Sequence, residues 1–130
     1  SLAVDITPKS GMHLYAPGAT DYRVVSLNIT PEPHLRTEAA QYPESEIYYF
    51  APLDERVPVF QQPFTLRVEA VAEATAAARQ AFAGRNELVI TGTLDYQACD
   101  DAICYNPVSV PLSWTVSLEG LVPGAPRPAQ

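Results

Sequence analysis

Residues 108–120, VSVPLSWTVSLEG, alternate without a break. Val108, Val110, Leu112, Trp114, Val116 and Leu118 hold one parity; Ser109, Pro111, Ser113, Thr115, Ser117 and Glu119 hold the other. Successive strand side chains point to opposite faces, so the pattern specifies a long strand with one apolar face. Pro111 has no N–H to give a ladder, which suits an edge strand or a bulge. FTLRVEAVA alternates in the same way, with Phe64, Leu66, Val68 and Ala70 opposite Thr65, Arg67 and Glu69. NELVITGTLDYQA puts Leu88, Ile90 and Leu94 on one face.

Further strands are expected in DYRVVSLNIT (21–30), SEIYYFA (45–51), LAVDI near the start and MHLYA (12–16). TPKSG, APGAT, TPEPH and VPVFQQP read as turn punctuation between them. Thirteen prolines, about twice the usual share, break long helices throughout the chain. Only AEATAAARQAFAGRN (72–86) has helical character, and it predicts one short helix near residues 73–84 that stops at Gly84. Seven to nine short strands with one minor helix define an all-β chain, a β-sandwich spanning residues 1–120. The remaining LVPGAPRPAQ, 121–130, is expected to be a tail or linker.

A chain of 130 residues, 47% hydrophobic, is long enough to bury a core without cross-links. Its net charge of −7 argues against nucleic-acid partners and anionic membrane surfaces, which call for basic patches. No apolar run approaches the roughly 20 residues of a membrane helix, and no signal peptide opens the chain. The initial Ser-Leu-Ala reads as the cut edge of a longer precursor.

The chemistry concentrates in YQACDDAICYNP, 96–107, which holds the only two cysteines, Cys99 and Cys104. In an extended strand they would lie roughly 16 Å apart. A disulfide needs Cα atoms about 4.4–6.8 Å apart, so a bonded pair requires the chain to double back at DDAI. Aspartates cap local backbone amides and suit such a turn. Three readings stand. A structural staple would stabilise by only about 2 kcal/mol across so short a loop. Zinc would need further ligands, and the two histidines, His13 and His34, are far apart and read as surface or strand-end residues. Thiol–disulfide exchange is the third: Asp100 and Asp101 disfavour a thiolate, which suits a disulfide attacked by another protein's thiolate. Glu44/Glu46 and Asp54/Glu55 read as solvated loop charge, and Tyr48, Tyr49 and Phe50 as strand packing with one ring outward.

The segment LDYQACDDAICYNPVSVPLSW resembles the N-terminal periplasmic domain of DsbD, the thiol:disulfide interchange protein, and the related disulfide bond corrector domains. The matching positions are Tyr96, Gln97, Cys99, Cys104 and Pro107, followed by the strand from Val108; SEIYYF (45–50) and MHLYAP (12–17) are similar to family strands. The resemblance implies an immunoglobulin-like sandwich with a redox-active disulfide at one end, in the periplasm or another extracytoplasmic space. It implies electron transfer from a thioredoxin-fold donor to acceptors such as disulfide isomerases, with a link to cytochrome c biogenesis and no cofactor or metal. The domain would then be part of a protein-disulfide reductase. Cys104 would form the mixed disulfide and Cys99 would resolve it, with Tyr96, Asp100 and Asp101 in support. A cap loop corresponding to EAAQYPESE, 38–46, would shield the pair, with Gln41 where the family has an aromatic and Tyr42 beside it. The cysteine spacing is one residue shorter than in DsbD. The alternative is a non-catalytic accessory sandwich with an inert, structural disulfide.

Overall fold

The computed structural model describes residues 1–118. Its strands, in chain order, are β1 Leu2–Ile6, β2 His13–Tyr15, β3 Ser26–Ile29, β4 Leu35–Thr37, β5 Glu46–Phe50 and β6 Glu55–Phe60. They continue with β7 Phe64–Val68, β8 Ala70–Ala72, β9 Glu87–Tyr96, β10 Ala98–Cys99 and β11 Val108–Ser117. A 3-10 turn, Ala51–Leu53, joins β5 to β6, and a single described helix, α1 Ala76–Phe82, joins β8 to β9. The expected tail, 121–130, lies outside the described residues.

The strands form sheets in the orders β10-β2-β6-β5, β11-β9-β3, β1-β7 and β4-β8, every ladder antiparallel. The fold is an all-β sandwich. It has eleven described strands where seven to nine were expected, and the surplus comes from pieces of two or three residues such as β4, β8 and β10. Strand β11 forms an edge and pairs with β9 from Val108↔Tyr96 to Ser117↔Glu87. The edge position tolerates Pro111, as the sequence predicts.

One expectation is corrected. VPVFQQP, read as turn punctuation, supplies most of β6, an interior strand in which Val57, Val59 and Phe60 are buried. Pro58 survives there because it lies just past the two-residue ladder with β2. Its carbonyl still accepts from the Ala16 N–H at 3.0 Å, and only the reciprocal bond is lost.

Buried residues from β2, β3, β6, β7 and β9, including Leu14, Leu27, Phe60, Leu66 and Leu94, meet in the main core. Trp114 of β11 packs half-buried against it and donates Nε1–H to the Ala3 carbonyl at 3.1 Å, tying the edge strand to β1. Helix α1 begins as capping rules require: Thr75 Oγ1 accepts from the Ala78 N–H at 3.0 Å, and Gly84 follows the helix with φ +75°.

Gly92 marks where β3 crosses close to β9. A Cβ there would overlap the Asn28 carbonyl and crowd Ile29 Cα at 3.3 Å, both backbone atoms that cannot swing aside. Gly92→Ala should therefore destabilise the domain by about 1–3 kcal/mol, read as a lowered urea midpoint at unchanged slope. A midpoint equal to wild type would show that β3 yields freely.

Candidate functional site

The segment from Ala98 to Tyr105 folds into a tight hairpin. Asp100 N–H donates to the Ile103 carbonyl at 2.9 Å, and Tyr105 N–H donates to the Ala98 carbonyl at 2.9 Å. Cys99 and Cys104 lie between these bonded rungs as a directly opposed antiparallel pair. Such non-hydrogen-bonded pairs bring Cα atoms closest, near 4.5 Å. Here the Cα separation is 4.0 Å, and the two sulfurs form a disulfide. The doubling back that the spacing demanded is built by Asp100, whose Oδ1 accepts from the N–H groups of Ala102 and Ile103, both at 2.8 Å. Those two backbone donors hold its carboxyl below the usual carboxylate range.

The two cysteines are unequal. Cys99, on β10, is 1% exposed, whereas Cys104, in the returning limb, is exposed. Cys99 packs with Tyr15, Val57 and Val59 in a small second core. Its cross-strand partner is His13 of β2, which is buried at 3% exposure. His13 and Tyr15, two apart, share the face toward the disulfide, while Leu14 between them enters the main core. The Tyr15 hydroxyl lies 3.8 Å from Cys104 Sγ.

Tyrosines roof this end of the sandwich. Tyr48 of β5 stacks on His13 with ring centroids 4.3 Å apart, and its hydroxyl donates to Asp101 at 2.6 Å. That bond ties the tip of the disulfide turn, which continues β10, to β5 at the other edge of the same sheet, and it pushes the Tyr48 hydroxyl up to about 12. Tyr22 stacks on Tyr15 at 4.3 Å and donates to the Glu55 carboxylate, which raises Tyr22 likewise to about 12. Burial, seconded by Glu55, raises Tyr15. Burial lowers His13, against an opposing pull from Asp101 and Asp100. Together these groups line a depression of about 170 Å³ with Cys104 in its wall.

The sequence-selected residues divide. Cys99, Cys104, Asp100 and Asp101 come together as expected. Tyr96, at the end of β9, packs half-buried toward the main core and lines a separate groove with Met12, Leu14 and Tyr105. The structure does not bring Gln41 and Tyr42 to the cysteines. Gln41 exchanges backbone hydrogen bonds with Arg67 of β7, and Tyr42 donates to the Val25 carbonyl at 2.7 Å beside the main core. Neither residue lines the depression.

Tyr48, Tyr15, Tyr22, Glu55 and His13 are the neighbours sequence reasoning missed. His13 does begin a strand, but it is buried and not a surface residue. Glu55 is half-buried and tied to Tyr22, not merely solvated. The available signal was the parity of HLY, which puts His13 and Tyr15 on one face; nothing local says that this face meets a cysteine.

The site is thus a disulfide of unevenly buried cysteines in a tight hairpin, carried on a β-sandwich. Comparison with known proteins gives its class. A family model described as "Thiol:disulfide interchange protein DsbD, N-terminal" matches residues 1–111. The chain belongs to this family of DsbD N-terminal domains. The crystal structure of the Neisseria meningitidis DsbD N-terminal domain in its reduced form shares the fold, with a TM-score of 0.53 and 17% identity. That match covers 88% of this chain and 79% of the other. No curated protein matches. Family membership carries a role in thiol–disulfide interchange. No described helix is long and apolar enough to cross a membrane.

Proposed function

We propose that this domain relays electrons, in an extracytoplasmic compartment, from a reduced thioredoxin-fold partner to acceptor disulfides such as those of isomerases. The observation that carries the reading is the unequal burial of the two sulfurs: Cys104 is exposed and Cys99 is 1% exposed.

A partner thiolate attacks Cys104 Sγ; the Cys99–Cys104 bond breaks, and Cys99 leaves with the electron pair and takes up a proton. The partner's second thiolate then attacks its own sulfur in the mixed disulfide and releases Cys104. Two electrons have moved, the partner is oxidised, and the pair is a dithiol. Delivery to an acceptor disulfide runs the same steps in reverse. Tyr48, bridging His13 and Asp101, lines the depression through which Cys104 is reached.

The reading is tested by equilibrating the folded domain with glutathione buffers and counting alkylatable thiols. The expected midpoint lies above about −300 mV, because the exposed Cys104 leaves the disulfide open to attack in the folded state. A folded domain that keeps its disulfide at lower potentials would be the inert accessory module instead.

A further inference from the structure

His13 is a buried imidazole directly opposite the buried cysteine, and the interchange steps above give it nothing to do. None of the described hydrogen bonds engages its ring, and neither ring nitrogen is fully sealed from the depression. Tyr48 stacks on one side and Tyr15 meets it edge-on with centroids 5.4 Å apart. A polar ring held by two aromatic rings, with its nitrogens unclaimed, is free to exchange a proton with whatever lies across the strand. Across the strand lies Cys99.

Resting on the interchange reading, we propose that His13 is the proton acceptor for Cys99 in the resolving step. When Cys104 is in a mixed disulfide with an acceptor, Cys99 is a thiol among apolar side chains, where burial disfavours its thiolate. Neutral His13 takes the Sγ–H proton while Cys99 Sγ attacks Cys104 Sγ. The Cys104–acceptor bond breaks, and the acceptor sulfur leaves as thiolate with the electron pair. The cysteine pair loses two electrons, the acceptor gains them, and the imidazolium gives its proton to water through the depression. In the reducing direction the same nitrogen protonates the leaving Cys99.

Every titratable group facing His13 is compatible with this role. Tyr15, Tyr22 and Tyr48 hold their protons well above the histidine range. Asp100 is held anionic by backbone amides, Asp101 accepts from Tyr48, and Glu55 accepts from Tyr22. Burial keeps the imidazole neutral at neutral pH, the state that accepts a proton.

The reduced domain, mixed with excess dithiobis-nitrobenzoate in a stopped flow, separates the steps. The first thionitrobenzoate leaves at a rate proportional to reagent, as Cys104 is capped; the second leaves at a concentration-independent rate, as Cys99 resolves. The resolving rate should climb with pH through an inflection below the usual histidine value of 6.5. In His13→Gln and His13→Phe it should fall about a hundredfold near neutrality and follow only the thiol ionisation at higher pH. A wild-type profile without the lower inflection overturns the proposal even where the variants fail to fold. Variant profiles superposable on wild type overturn it as well. If Cys104 is never capped, the interchange reading itself falls.

Discussion

Cys99→Ser, capped at Cys104 with thionitrobenzoate, should lose that cap as free thionitrobenzoate to a thioredoxin-fold partner carrying a single nucleophilic cysteine, and should stay cross-linked to the partner. The attacked sulfur is exposed, and no second cysteine remains to release the adduct. Cys104→Ser should behave in the opposite way. Its remaining thiol, Cys99, sits at 1% exposure beneath Tyr15, Val57 and Val59, so capping should be slow in the folded state and no cross-link should accumulate. The contrast is close to all-or-none, because an in-line approach to a buried sulfur requires the hairpin to open. Non-reducing electrophoresis reads it directly. Equal cross-linking by both variants would show that the asymmetry of burial does not set the order of attack.

Leu66→Ala should destabilise the domain by about 2–5 kcal/mol, more than breaking the disulfide does. Leu66 is 0% exposed at the centre of the main core, so its truncation leaves a cavity among side chains from several strands. The disulfide closes a loop of sequence separation 5, and its reduction forfeits only about 2 kcal/mol of unfolded-state restriction. Against a typical domain stability of about 5–15 kcal/mol, the reduced form stays folded. A relay domain needs this, because both redox states must present the same docking surface. Thermal melts of oxidised, reduced and Leu66→Ala protein give the comparison, with the core variant melting roughly 10 °C below wild type. Global unfolding on reduction would make the disulfide the principal staple and contradict the exchange reading.

The long strands were legible because alternation is local. Leu88, Ile90 and Leu94 are all buried on one face of β9, and Val110, Leu112, Trp114 and Val116 are half-buried on one face of β11. The helix was legible from alanine content and Gly84, and Thr75 supplies the cap. Strand β6 was not legible. Val59 and Phe60 are both buried, so its parity is broken, and Pro58 reads as a breaker until its carbonyl is seen bonded to Ala16. The hairpin between the cysteines was anticipated from DDAI, and Asp100 does cap it. The site's walls were not, because Tyr48 and Asp101 are separated by 53 positions and meet only when β5 and the disulfide turn join one layer.

The sequence alone determined the all-β class, that Pro111 suits an edge or a bulge, and that DDAI can turn the chain back if Cys99 and Cys104 bond. Each of these follows from residues within a few positions of one another, where backbone geometry is the deciding force. Tertiary structure alone decided which sulfur is exposed, that Tyr48 lines the depression beside Cys104, and that His13 faces Cys99. Those outcomes depend on strand order and register, which pack β2, β5 and β6 around the hairpin. Local patterning sets a side chain's face, but only the assembled sheets determine what that face meets.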